Sequence, residues 1–148
     1  MSGDYLLAID NGTQSVRALV FDLDGQLVAK SKVAIEPYYS RHPGWAEQDV
    51  DYFWQNFCKA CHQLWDSLPF DRTRIKAVAV TTQRATVINL DRQGQALRPA
   101  IIWLDQRRCE NLTTMRGPWP WLFRALGEQD TLTYFRSQAE CNWIAANE

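Results

Sequence analysis

The sequence predicts a mixed α/β layer fold that opens on a three-strand antiparallel meander and is covered by helices. Three observations lead there. Residues 5 to 9 and 16 to 22 are short runs of Leu, Ile, Val, Ala and Phe separated by a small polar turn. Asp24-Gly25, a strong hairpin signal, follows them. From Asp49 the apolar period then changes from strand-like to 3.6. Periodicity alone does not separate this order from other α/β layouts.

Taken in order, residues 26 to 35 partly alternate and read as the third strand, and residues 37 to 49, with Pro37, Pro43 and Gly44, read as a loop. Phe53, Phe57, Cys61, Leu64 and Leu68 share one helical face, with Trp54, Cys58 and Trp65 beside them. Asp49 is the expected N-cap, and Pro69 stands just past the end. Residues 74 to 83 predict a buried strand, and "ATVINLDRQGQAL" predicts another strand running into a turn at Asp91 to Gly94. "AIIW" is a further short apolar run that stops at Trp103. Beyond Asp105 "GPWPWLFRALG" fits either a helix begun at Pro120 or a loop, and "SQAECNWIAANE" predicts a helix capped by Ser137. That helix reaches Glu148 with no stop signal, so more chain is expected beyond it.

A length of 148 residues with 46% hydrophobic and 22% charged residues is a globular composition. No repeat or flexible linker interrupts it, and residues 1–148 are expected to form part of one lobe with no second domain. Sixteen basic residues against seventeen acidic ones supply no long-range field for nucleic acid or an anionic membrane. No run approaches the roughly 18 apolar residues of a membrane span. The stretch MSGDYLLAID lacks a basic leader region, so a cytoplasmic location is expected, with the four cysteines reduced. Seven tryptophans predict apolar surface that self-association would cover.

"CKACH", residues 58 to 62, matches the haem-attachment pattern and offers two thiolates at metal-ligand spacing. Haem needs an export compartment and an axial partner, and zinc needs two further ligands. Both cysteines instead fall on the apolar side of a helix, and helix packing is the expected role. His42 and His62 receive no assignment, and Arg107 and Arg108 read as surface charges at a helix start.

The chemistry-bearing stretch is "YLLAIDNGTQSVRALVFDLDG", where Asp10 ends a strand and Asn11-Gly12-Thr13-Gln14 make the turn. A strand-end carboxylate can hold Mg²⁺ through water, and Gly12 lets backbone N–H groups approach phosphates. Thr13, Gln14 and Ser15 add neutral donors, and Arg17 adds charge. A plain polar hairpin has the same spacing. An aspartic protease would need Asp-Thr-Gly twice, whereas the order here is Asp-Asn-Gly-Thr and no second copy occurs.

Four segments in register resemble the FGGY carbohydrate kinases, whose fold is the ribonuclease H-like mixed sheet of the actin-like ATPases. "LLAIDNGTQSVRALVFDLDGQLVA" is similar to their first phosphate-binding hairpin, and "HPGWAEQDVDYFW" to their Pro-Gly-Trp-x-Glu-x-Asp loop and following helix. "VAVTTQRATVINLDRQGQAL" is similar to their strand, substrate loop and hairpin, and "RPAIIWLDQRR" to their Trp-x-Asp-x-Arg segment. The resemblance implies ATP-dependent phosphorylation of a sugar or polyol hydroxyl, with Mg²⁺. By position it implies Asp10 near the metal and phosphates, and Gly12, Thr13, Gln14 and Arg17 at the phosphates. Gln83, Arg84, Trp103 and Asp105 would face the substrate. Trp103 also reads as core and Arg84 as a solvated turn residue. Glycerol kinases have Gln-Arg-Glu-Thr where this chain has Gln83-Arg84-Ala85-Thr86, so one hydroxyl acceptor is lost and glycerol is the less expected substrate. The family's general-base Asp and adenosine site are expected downstream, together with the C-terminal lobe. The chain is therefore expected to be inactive alone. The alternative is a non-catalytic sugar- or protein-binding module of the same fold.

Overall fold

The computed structural model describes residues 3–148. Met1 and Ser2, part of the stretch read above for a leader, lie outside the described residues. The chain divides into two compact units, Met1–Tyr39 with Glu47–Trp103, and Ser40–Ala46 with Leu104–Glu148. One lobe was the expectation from the sequence. Within it the tail gathers its own contacts around the 40–46 loop.

The first unit contains the expected meander: β1 (Tyr5–Asn11), β2 (Ser15–Asp22) and β3 (Leu27–Ala34). Leu7 stands opposite Val20 and Ile9 opposite Ala18, which puts the apolar set of both strands on one face. Helix α1 (Val50–Ser67) packs on β2 and β3, and Asp49 caps it by accepting from the N–H groups of Asp51 and Tyr52. Tyr5, Leu7, Ile9, Val16, Ala18, Val20, Val33, Phe53 and Leu64 form the core. Each large side chain buried there stabilises the fold by about 1.5–3 kcal/mol.

The inner face of α1 is Phe53, Asn56, Ala60 and Leu64, whereas Trp54 is exposed and stacks on Phe57. Small Ala60 is fully buried on this face, and its carbonyl accepts from Ser31 Oγ of β3 at 2.6 Å. Hydrophobicity put larger residues on this face, but the close approach selects a small one. Cys58 and Cys61 are half-buried on α1, and His62 is exposed. Burial, then the neighbouring Cys58, pushes the Cys61 thiol up, away from the thiolate a metal would need.

Strand β5 (Ile75–Thr81) runs parallel to β1 and closes the order β3-β2-β1-β5. The expectation of a buried strand fails here. Val78 and Val80 are 58% and 51% exposed, because β5 has a neighbour on one edge only and α1 lies over β2 and β3. The expected strand after it is reduced to isolated bridges, Val87 with Ile101 and Leu90 with Ala96, because a turn at Arg84-Ala85 interrupts the extended backbone. The Asp91 to Gly94 turn is present, with Asp91 Oδ1 accepting from the N–H groups of Gln93 and Gln95. The 37–49 loop ends in β4 (Glu47–Gln48), which pairs with β6 (Ala100–Ile101). Glu47 is buried and pairs with Arg98 at 2.8 Å.

In the second unit, α2 (Trp119–Ala125), α3 (Gln129–Gln138) and α4 (Glu140–Asn147) follow one another. Ser137 does not cap a helix. It lies inside α3 and donates to the Tyr134 carbonyl at 2.7 Å, and the break falls at Ala139, where ψ reaches 116°. Arg107 is not a surface charge either. Its guanidinium lies over Trp45 and Trp143, at 4.2 and 4.6 Å from the ring centres. Arg108 is exposed and lies over Tyr134.

Candidate functional site

Parallel pairing sets the site. The register of β1 on β5 places Asp10 beside Thr81, so both strands finish at the same end of the sheet, where the chain leaves regular structure and side chains can converge. Antiparallel pairing places Arg17 opposite Asp10 on the other side. The Asp10 carboxylate accepts from Arg17 Nη1 at 3.0 Å on Oδ2 and from Thr81 Oγ1 at 3.1 Å on Oδ1. The ion pair is about half exposed and contributes at most about 1 kcal/mol to stability.

The turn after Asp10 is tight. Gly12 N–H donates to the Ser15 carbonyl at 3.1 Å, and a Cβ at Gly12 would stand 3.2 Å from that oxygen. Any larger residue would press on the turn. Two further segments reach it. Gln83 donates from Nε2 to the Gly12 carbonyl at 3.2 Å while its Oε1 accepts from Thr86 Oγ1 at 2.9 Å, which fixes the amide orientation. Trp103 donates from its indole N–H to Thr13 Oγ1 at 2.8 Å.

Between them lies a cleft of about 460 Å³ lined by Asp10, Gly12, Thr13, Gln83, Arg84 and Trp103, together with Asn11, Thr82 and Ala85. Six of the nine residues selected from the sequence thus line one cleft. Arg17 reaches it through Asp10. Gln14 is exposed outside the lining, and its backbone carbonyl accepts from Ile35 N–H. Asp105 belongs to the second unit, where its carboxylate accepts from Arg107 and from Ala46 N–H. Burial pushes the Asp105 carboxyl up, but these bonds outweigh it and hold the pKa below the ordinary carboxylate value.

Sequence reading missed Asn11 and Thr82 as lining residues, and Thr81 as the group that orients Asp10, whereas the resemblance singles out Ala85 as the position of a lost hydroxyl acceptor. The signal for the threonines was available: they stand where an apolar parallel-type strand meets its loop. What the sequence did not show at Ala85 is its φ of 59°, a left-handed conformation that non-glycine residues rarely adopt. Asn11 Oδ1 is buried and has no partner among the described residues.

The donor set fits Mg²⁺ held through water. Mg²⁺ keeps most of its own waters and takes one or two carboxylates plus phosphate oxygens. Asp10 offers one carboxylate on the cleft, with lone pairs beyond the two already engaged. Among the described residues no group of three or more His, Cys, Asp or Glu gathers to enclose a metal by itself.

The mixed sheet, with loops converging at the ends of β1 and β5, is that of the actin-like ATPase fold. Residues 5–148 match the model of the FGGY family of carbohydrate kinases, N-terminal domain, and the chain belongs to that family. A glycerol kinase from Haloferax volcanii is 37% identical over 119 residues, covering 79% of this chain and 23% of that protein. A solved xylulose kinase from Rhodospirillum rubrum aligns with a TM-score of 0.63 at 29% identity, over 72% of this chain and 22% of that one. A glycerol kinase from Plasmodium falciparum, solved with ADP, aligns with a TM-score of 0.60 at 30% identity, over 71% of this chain and 21% of that one. The chain thus spans about a quarter of the length of the kinases it matches. Among the described residues no helix is long and apolar enough to cross a membrane.

Proposed function

We propose that the cleft is the N-terminal share of the active site of a sugar or polyol kinase, with ATP and Mg²⁺ on the Asp10 side and the hydroxyl substrate on the Trp103 side. The supporting observation is the convergence of Asp10, the Gly12-Thr13 turn, Gln83, Arg84 and Trp103 on one cleft. Phosphoryl transfer asks a protein mainly for positioning and charge neutralisation. Here Asp10 would hold the hydrated metal, Thr13 would donate to the phosphates, and Gly12, whose own N–H is taken by the Ser15 carbonyl, leaves the backbone open to their approach. An indole face beside an amide and a guanidinium suits a polyol, whose C–H side packs on the ring while its hydroxyls find planar donors. Asp105 belongs to the second unit, where its carboxylate is committed to Arg107.

Ala85 supports a substrate other than glycerol, since it supplies no carboxylate to the cleft. In the enzyme that contains this chain at full family length, a panel of ketoses and polyols is expected to give ADP production with a sugar or larger polyol and little with glycerol. Ala85→Glu is expected to raise kcat/KM for glycerol. The 148-residue chain alone is expected to produce no ADP with any member of the panel. ADP above background from that chain, or no turnover with any substrate at full length, contradicts the proposal. The comparatively small electric field of a chain with net charge −1 fits a small-molecule substrate rather than nucleic acid or a membrane surface.

The 148-residue chain is also proposed to self-associate. A groove of about 400 Å³ on the uncovered side of the sheet is lined by Leu6, Phe21, Leu23 and Val78, beside the open edge of β5. Sedimentation equilibrium is expected to show concentration-dependent association that Val78→Lys weakens, and a strict monomer would count against it.

A further inference from the structure

We infer that Trp103 and Gln83, on the substrate side of the cleft, are positioning residues for the phosphate turn, so that nucleotide affinity depends on two side chains that do not themselves hold the nucleotide. The inference rests on the kinase reading above and deepens it. An indole nitrogen only donates, so in the 2.8 Å contact Thr13 Oγ1 is the acceptor. The Thr13 hydroxyl proton is thereby left to point elsewhere, and no described residue takes it. With Thr13 lining the cleft, that polarity suits an acceptor ligand such as a phosphate oxygen and works against a donor.

Gln83 acts on the neighbouring peptide. Its Nε2 engages the Gly12 carbonyl at 3.2 Å, and Thr86 locks the other end of the amide at 2.9 Å. A carbonyl occupied in this way is withheld from an approaching anion, which it would otherwise repel. The turn is short, and Gly12 adds no side-chain packing to stiffen it. Both braces come from segments distant in sequence, the loop after β5 and the second residue after β6, and each ends on one of two adjacent turn residues. Losing either frees the turn to adopt conformations in which carbonyl and hydroxyl face the wrong way.

The test measures nucleotide binding with no sugar present, using the non-hydrolysable Mg·AMP-PNP and calorimetry on the full-length enzyme. Trp103→Phe keeps an aromatic face and deletes the N–H. It is expected to weaken Mg·AMP-PNP about fivefold, the worth of one ordinary hydrogen bond. Thr13→Ser keeps the hydroxyl and is expected to bind within about twofold of wild type. Thr13→Val is expected to weaken binding, and Trp103→Phe added to it is expected to cost nothing more, because the two share one interaction. Gln83→Met, which deletes the other brace, is expected to act in the same direction and carries the test if Trp103→Phe does not fold. An unchanged nucleotide Kd in Trp103→Phe with only the sugar KM altered overturns the inference, and so do additive effects of Trp103→Phe and Thr13→Val. A folded wild-type enzyme that binds no Mg·AMP-PNP overturns the kinase reading itself.

Discussion

Asp10→Asn is expected to lower kcat of the full-length enzyme about 10²–10³-fold, the range for deleting a preorganised electrostatic group, while leaving the fold intact. The two effects separate because of what Asp10 does in the unliganded cleft. Its ion pair with Arg17 is about half exposed, so losing it changes stability by less than about 1 kcal/mol. The amide oxygen of the variant still accepts from Thr81, which stands 3.1 Å from the native carboxylate. What the variant loses is the negative charge that attracts and orients a hydrated Mg²⁺. Steady-state turnover beside a thermal melt checks both halves. Native turnover in Asp10→Asn would remove the metal role from this residue.

Arg107→Met is expected to destabilise the protein by about 3–5 kcal/mol, the cost of stranding one member of a buried ion pair. The side chains of Asp105 and Arg107 are 5% and 4% exposed and meet at 2.7 Å, with a second contact from Arg107 Nε at 2.9 Å. Methionine replaces the volume between Trp45 and Trp143 but supplies no charge. The carboxylate would keep only the N–H groups of Ala46 and of residue 107 itself, at 2.7 and 2.9 Å in the native chain. Arg107→Lys is expected to rescue part of the loss, since an ammonium restores charge without the planar two-nitrogen contact or the stacking.

The pH dependence follows from the depressed Asp105 carboxyl. A group whose folded pKa lies below its unfolded one contributes fully above the unfolded value, near 3.9, and loses that contribution as pH falls through the folded value. Wild type therefore loses this increment only in strong acid. In Arg107→Met only the two backbone N–H groups still hold the carboxyl down, so the deficit is largest at neutral pH and shrinks below about pH 4 as protonation removes the stranded charge. Urea midpoints at neutral and acid pH measure this, and equal midpoints for the two proteins at pH 7 would contradict it.

The meander, the Asp49 cap and the length of α1 were legible because they depend on local rules: alternation, a hairpin dipeptide and a capping side chain. The failures share a different cause. Whether β5 is buried depends on what lies over and beside it, and its apolar sequence cannot state that. Ala60 replaces larger neighbours on the inner face of α1 because the distance to β3 is set by the sheet. Arg107 reads as a solvated charge until Asp105 and two tryptophans, Trp45 from about sixty residues earlier and Trp143 from the last helix, close around it.

The sequence by itself determined the family, through four motifs in register, and the chemical types gathered for the site: a strand-end carboxylate, a glycine turn, an amide and an indole. Only the tertiary structure decided how those groups are used. Parallel pairing of β1 with β5 brings Thr81 to Asp10, and Gln83 and Trp103 line the cleft while their polar ends bond to the turn. The physical reason is that residue type and spacing specify local geometry, whereas hydrogen-bond partners across some 70 to 90 residues are set by strand register.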